Sequence, residues 1–330
     1  MFQITLKNGK SFSCDSNTTV FESAKSNGII LEHSCLNARC RSCKVRVLSG
    51  ETEDKLDDLV LTYEEKSQGY ILSCNAIPKS DMELDVEDLR DILFYDSKIV
   101  PAKIASLEFI GKTVLKLDLR LPPNVIFKYN SGQYVNISKG TLKRSYSIAN
   151  AYKENSELSF YIKNYDEGQM SQYWFNEAKV GDLLRIEGPK GSFFLRESNK
   201  QHLIFLATGT GIAPVMAIIE ELISSQRINV LEKVWIFNGA RFEQDLIWNS
   251  DHLNNISNIE YIPVLSKSTQ TWKGEVGYVQ DILLSKNINL SESQVYACGS
   301  DKMIGSALIV LVENGLDSKS FHSDAFVATN

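Results

Sequence analysis

Three cysteines within nine residues, Cys35, Cys40 and Cys43, with a fourth at Cys74, constrain this chain more than any other feature. Thiols crowded in this way either bind metal or cross-link. Six cysteines in 330 residues are too few for a disulfide scaffold, so a metal centre in a reducing, cytoplasmic setting is the expectation. The pattern C-x4-C-x2-C with a distant fourth cysteine is the spacing that holds a 2Fe-2S cluster. Three thiolates converge from one tight loop, whose backbone N–H groups turn toward the sulfurs. Structural zinc is the rival, although zinc ordinarily takes two C-x2–4-C knuckles rather than three ligands from one loop. His33 precedes the loop, but no Cys-x-His pair offers Rieske-type ligation, which leaves it beside the ligands or at the surface. Cys14 falls on an expected strand and reads as a small core residue.

Composition excludes several classes. The formal charge of −6 argues against a general nucleic-acid binder, which needs surplus Lys and Arg for phosphates. The longest apolar run, Ala307 to Val312, is far short of the roughly 20 residues of a membrane helix. The N-terminus lacks the basic-then-apolar order of a signal peptide.

The chain divides by rhythm into three parts. Over residues 1–92, Phe2, Ile4 and Leu6 alternate with polar residues, Asn8-Gly9 predicts a type I′ hairpin turn, and Ser11 to Cys14 resumes the strand. Thr19-Val20-Phe21-Glu22 is a capping box opening a helix over about 20–27. Two strands, a helix, a metal loop and a return strand suggest a small β-grasp module. Residues 98–197 hold many short strands punctuated by Gly and Pro, the pattern of an antiparallel barrel. From 200 to 330, apolar runs alternate with helical stretches, which implies an α/β domain with a parallel sheet covered on both faces.

Further motifs lie in the second and third parts. Arg144-Ser145-Tyr146-Ser147 is followed by Gly168-Gln169-Met170-Ser171 and by Gly188-Pro189-Lys190-Gly191-Ser192-Phe193. An Arg can clamp a pyrophosphate with two parallel hydrogen bonds, a Tyr can pack on a flat ring, and a glycine at a helix start lets phosphate approach. Thr208-Gly209-Thr210-Gly211-Ile212-Ala213-Pro214 sits between an apolar strand and a helix. It lacks the third glycine of G-x-G-x-x-G, but its small residues allow close backbone approach and Pro214 suits the first helical position. Cys298-Gly299-Ser300 follows another apolar strand, and Ser323-Asp324-Ala325-Phe326 lies near the end.

These segments carry a resemblance. Residues 1–92 resemble a plant-type ferredoxin domain, with Ala38 and Arg41 standing where that family commonly has Gly. The remaining motifs are similar to the ferredoxin–NADP reductase superfamily. That resemblance implies an FAD site at Arg144, Ser145, Tyr146, Ser147, Gly168, Met170 and Ser171, with Ser147 reaching the flavin N5. It implies a nicotinamide nucleotide site at Thr208, Gly209, Thr210, Gly211 and Pro214, with Cys298 beside the nicotinamide. Asp324 is implied at the isoalloxazine hydrogen bonds and Phe326 over its face. NADH is expected in preference to NADPH, for whose 2′-phosphate Arg241 or Ser266-Lys267 are the candidates.

The order ferredoxin, FAD, NAD is that of oxygenase reductases and of the CDP-6-deoxy-delta-3,4-glucoseen reductases. Glu108-Phe109-Ile110-Gly111, Leu119-Arg120-Leu121-Pro122-Pro123 and Arg185-Ile186-Glu187-Gly188-Pro189 resemble the latter. The resemblance implies an oxidoreductase that passes electrons from NADH through FAD and a 2Fe-2S cluster to a partner enzyme. The implied partner is a pyridoxamine-phosphate-dependent sugar 3-dehydrase making 3,6-dideoxysugars for surface polysaccharide. The reductase component of an aromatic or alkane oxygenase is the alternative.

Overall fold

The computed structural model describes all residues except 40, 58–59, 90–93, 155–156 and 327–330. The expected boundary at 92 therefore lies outside the described residues. The chain forms two compact units, Met1–Phe94 and Tyr95–Asn330.

The first unit contains β1 (Phe2–Leu6), β2 (Ser11–Cys14), α1 (Val20–Ser26), β3 (Lys44–Ser49), β4 (Thr52–Asp54), α2 (Tyr63–Ser67), β5 (Tyr70–Leu72), β6 (Ala76–Pro78) and β7 (Met82–Asp85). Five strands make one sheet in the order β2-β1-β7-β3-β5. β1 and β7 pair in parallel and the other neighbours antiparallel. The two-residue period of β1 and β2 sends Ile4, Leu6, Phe12 and Cys14 into a core shared with Val20, Phe21 and Ala24 of α1. Thr19 caps α1 through the expected box with Glu22. The hairpin forms, but with Phe2 opposite Cys14, one residue away from the register that a two-residue turn at Asn8-Gly9 would set. Gly9 has φ +81 while Asn8 does not, so the tight I′ turn, which needs positive φ at both central residues, gives way to a longer one.

The second unit begins with β8 (Lys98–Ile110), β9 (Val114–Arg120), β10 (Tyr134–Lys139), β11 (Leu142–Ser147), β12 (Leu158–Lys163), α3 (Gln169–Gln172) and β13 (Leu183–Lys190). Their antiparallel order is β11-β10-β13-β8-β9-β12. Among the described residues no ladder joins the two ends, but the sheet curls until the continuation of β11 meets β12. Ala149 N–H donates to Ser159 O at 2.8 Å, and Ser159 N–H to Asn150 Oδ1 at 2.9 Å.

The chain then forms β14 (His202–Thr208), α4 (Ile212–Ser224), β15 (Lys233–Ala240), β16 (Ile259–Leu265), β17 (Glu275–Val276), α5 (Val279–Ser285), β18 (Ser293–Gly299), α6 (Asp301–Glu313) and β19 (Phe321–Ala325). These strands form an all-parallel sheet ordered β17-β16-β15-β14-β18-β19. Every residue of β18 is buried, as a strand covered on both faces requires. The two sheets share a core in which Val114 and Phe193 pack with Phe205, Ile218 and Tyr296. Among the described residues no helix is long and apolar enough to cross a membrane.

Candidate cofactor sites

The ladder between β3 and β5 sets Lys44 opposite Leu72, and Ser73 N–H donates to Cys43 O at 3.0 Å. This brings the sulfurs of Cys43 and Cys74 to 3.2 Å, well beyond the roughly 2.05 Å of a disulfide. Two thiolates so close repel one another unless a cation lies against both. The N–H groups of Asn37 and Arg39 point at Cys35 Sγ, at 3.5 and 3.4 Å. They converge because Leu36, Ala38 and Arg41 all take positive φ, between 56° and 63°. The two positions where the ferredoxin family favours Gly are thus left-handed here without it, at a cost of about 1 kcal/mol or more each. Cys40 lies outside the described residues, and among those described no three ligand side chains gather. His33 bonds Leu31 O through Nδ1 at 2.9 Å and rests against the Phe21 ring, which accounts for it structurally.

Arg144, Ser145, Tyr146 and Ser147 end the edge strand β11. Arg144 and Tyr146 share one face, while Ser145 is exposed and donates to Asn136 Oδ1 at 2.7 Å. Ser147 is buried. The structure joins this strand to the second segment through a residue absent from the sequence expectations. Trp174 Nε1–H donates to the Tyr146 hydroxyl at 2.8 Å, the rings meeting edge to face. Burial raises the Tyr146 pKa, with the indole bond opposing it, so the phenol stays neutral and keeps its own proton to donate. Gly168 precedes α3, whose Met170 and Ser171 are buried. The Ser171 hydroxyl accepts from Tyr165 N–H at 3.1 Å, which fixes the loop ahead of that glycine.

The sheet order places a topological switch point between β14 and β18, where α/β folds bind ligands at the carboxyl ends of strands. Thr208 ends β14, and Gly209, at φ +57, turns the chain with nothing within 4 Å of where a Cβ would stand. Gly211 is the reverse case, since a Cβ there would come 2.4 Å from Cys298 O. The two strand ends are held by Ser300 N–H, which donates to Thr208 Oγ1 at 3.2 Å. Thr210 is buried beneath the turn. Pro214 occupies the third residue of α4 rather than the first, which costs nothing because the first four helical N–H groups have no internal partner. Across the switch point Cys298 pairs with Ala207 on one side and Asp324 on the other. Burial, with the Asp324 charge adding to it, pushes the Cys298 thiol well up, so it is a neutral group. Phe326 N–H donates to Gly299 O at 2.8 Å, and the Phe326 side chain packs on the shared core. Arg241 and Ser266-Lys267 follow β15 and β16 at the same end of the sheet.

Three family models match in turn: a 2Fe-2S iron-sulfur cluster binding domain over residues 4–79, an oxidoreductase FAD-binding domain over 101–195 and an oxidoreductase NAD-binding domain over 205–308. Over 319 residues the chain is 39% identical to the CDP-6-deoxy-L-threo-D-glycero-4-hexulose-3-dehydrase reductase of Yersinia pestis, spanning 96% of this chain and 95% of that protein. The chain belongs to this reductase family. Protein RfbI of Salmonella typhimurium is 35% identical, with 97% of this chain and 94% of that one covered. A solved ferredoxin reductase of carbazole 1,9a-dioxygenase shares the fold, with a TM-score of 0.69 over 99% of this chain and 98% of that one, at 24% identity. The reductase is therefore an oxidoreductase with 2Fe-2S, FAD and NAD domains, and it stands further in sequence from that oxygenase component.

The residues fit these groups. The close pair Cys43 and Cys74 with N–H groups aimed at Cys35 suits an anionic metal–sulfide centre, Arg144 offers a cation for pyrophosphate, and the open Gly209 turn admits a dinucleotide. Sequence reasoning missed Trp174, whose signal was its place four residues after Met170 on one helical face. It also missed Glu220 of α4, which accepts from Ala151 N–H at 2.8 Å and pairs with Lys153. Glu220 thereby ties the continuation of β11 to α4, the helix that follows the Gly209 turn.

Proposed function

We propose that this reductase passes electrons from NADH, through FAD and its 2Fe-2S cluster, to a pyridoxamine-phosphate-dependent CDP-4-keto-6-deoxyhexose 3-dehydrase. The observation that carries the reading is likeness along the whole chain, 39% identity over 96% of it, to a protein named as a dehydrase reductase. NADH gives up a hydride, two electrons at once, a 2Fe-2S centre takes one, and a flavin handles both.

The chain's own residues are assigned as follows. Residues 1–92 hold the cluster through Cys35, Cys40, Cys43 and Cys74. Residues 98–197 hold FAD, with the Arg144 guanidinium on its pyrophosphate, Tyr146 against it and the Ser147 hydroxyl at the redox edge. Ser145 and the Gly168–Ser171 segment complete that wall. Residues 200–330 bind the nucleotide, whose phosphates approach the backbone of Thr208 to Gly211 ahead of Pro214. Cys298, as a neutral thiol, lies beside the nicotinamide, while Asp324 assists hydrogen bonding at the isoalloxazine and Phe326 covers its face. NADH is the preferred donor. Arg241 and Lys267, which follow β15 and β16, are the candidates for a 2′-phosphate, and a kcat/KM ratio favouring NADPH would reverse that preference.

The test is reconstitution. The reductase, the dehydrase and NADH should together yield C-3-deoxygenated sugar nucleotide with matching NADH loss. Failure to do so, with active coupling to an oxygenase component, would overturn the assignment of the partner.

A further inference from the structure

The cysteine loop carries an Arg between its second and third cysteines, and the structure shows what that side chain bonds to. Arg41 sits among the cysteines at φ +63, a left-handed conformation that costs an L side chain energy. Its guanidinium bonds to residues outside the cysteine loop: Nη1 donates to Val60 O at 2.6 Å, and Nη2 pairs with Glu65. Lys44, next after Cys43, reaches the same carboxylate oxygen at 3.0 Å and lies 4.7 Å from the centre of the Tyr70 ring. The other oxygen of Glu65 accepts from Thr62 N–H at 2.9 Å, closing the capping box of α2. All three charged side chains are about one-fifth exposed or less. Val60 and Leu61, just upstream of the cap, pack on Cys43, Cys74 and Ala38. Glu65 is thus fixed at both oxygens, against the loop that supplies three of the four thiols.

We infer that Glu65 is a positioning residue for the cluster: it pairs with the Arg41 guanidinium and offsets the charges of Arg41 and Lys44, holding the reduction potential down. One electron added to the cluster makes it more negative, and uncompensated cations nearby favour that state. The single carboxylate, set against two cations, removes part of that bias. The inference rests on the assignment of Cys35, Cys40, Cys43 and Cys74 as ligands.

Glu65→Gln is the informative substitution: it removes the charge but keeps one accepting oxygen, for the Thr62 N–H of a capping box or for Arg41, while its amide NH2 takes the other place and can only donate. Holoprotein is titrated with dithionite and mediators, and the reduced cluster is followed by its electron paramagnetic resonance signal, which does not overlap the oxidised flavin. Glu65→Gln should raise the ratio of reduced to oxidised cluster at the native midpoint by about three- to tenfold, tenfold being 59 mV for a one-electron couple. Arg41→Gly tolerates the same φ and should shift the midpoint the opposite way, and the double variant should return near the native value. Midpoints of Glu65→Gln and native protein within about twofold in that ratio, with the native signal shape, overturn the inference alone. Loss of the signal in Glu65→Gln while Arg41→Gly keeps it overturns it in favour of a purely structural role. Native protein that shows no such signal on reduction refutes the ligand assignment itself, and the inference with it.

Discussion

The guanidinium of Arg144 and the ring of Tyr146 lie on one face of β11, and the two differ in how firmly the protein holds them. Tyr146 is fixed by Trp174, whereas Arg144 donates to the backbone carbonyl of Lys143 at 2.8 Å through Nη1. A charge-assisted hydrogen bond contributes about 1.5–3 kcal/mol. Arg144→Ala should therefore weaken FAD binding about 10- to 100-fold, seen as flavin lost on gel filtration and a raised dissociation constant. An unchanged constant would remove Arg144 from the pyrophosphate site. Glu187 gives a second expectation at this scale. Hydrogen bonds from Lys143 and Lys190 outweigh the effect of burial and hold its carboxyl down to about 2. A depressed folded pKa stabilises the protein above the unfolded value near 4.5 and loses that contribution as pH falls toward 2. Glu187→Gln should be less stable than native protein at pH 6, with the gap narrowing below pH 4.5 and closing only near pH 2, in denaturant midpoints along that range. A difference independent of pH would show that the ion pairs are not its source.

The turn after β14 separates two kinds of glycine. Gly209→Ala meets open space and suffers only the left-handed φ of +57, a cost of about 1 kcal/mol. Gly211→Ala sets a methyl 2.4 Å from the backbone oxygen of Cys298, and neither strand end can yield without moving the other. Gly211→Ala should therefore raise the KM for NADH about tenfold or more and lower Tm by several degrees, with Gly209→Ala milder on both. Equal effects would mean that the close approach of β14 and β18 is unimportant. Much of this was legible in the chain. Apolar runs gave β14 and β18 because a strand buried on both faces has to be continuously apolar, and the capping box of α1 is a local device readable in four residues. The hairpin turn at Asn8-Gly9 was misread because its type depends on how many residues the strands leave unpaired, which the dipeptide does not encode. The contacts of Trp174 with Tyr146 and of Arg41 with Glu65 join segments 28 and 24 residues apart, so no local pattern announces them.

At the scale of the molecule, the cysteines assigned to the cluster and the segments assigned to flavin and nucleotide fall in different compact units, each with its own buried core. Lesions in separate cores are expected to contribute nearly additively. A lesion among the thiols should then leave the second unit working. Cys43 is buried and within 3.2 Å of Cys74. Serine at that position binds metal less softly and leaves Cys74 without its companion thiol, so Cys43→Ser should abolish the iron–sulfur absorbance. Ferricyanide can take electrons from a reduced flavin directly, and NADH–ferricyanide turnover should stay within about twofold of native. Sugar nucleotide deoxygenation coupled through the dehydrase should fall at least 100-fold, because the two-electron donor then has no one-electron outlet toward the partner. If both activities fall together while flavin content is native, the two units depend on each other and the division of labour between them is wrong. If the coupled reaction survives without iron, the partner draws its electrons from the flavin, and the four cysteines serve some other end.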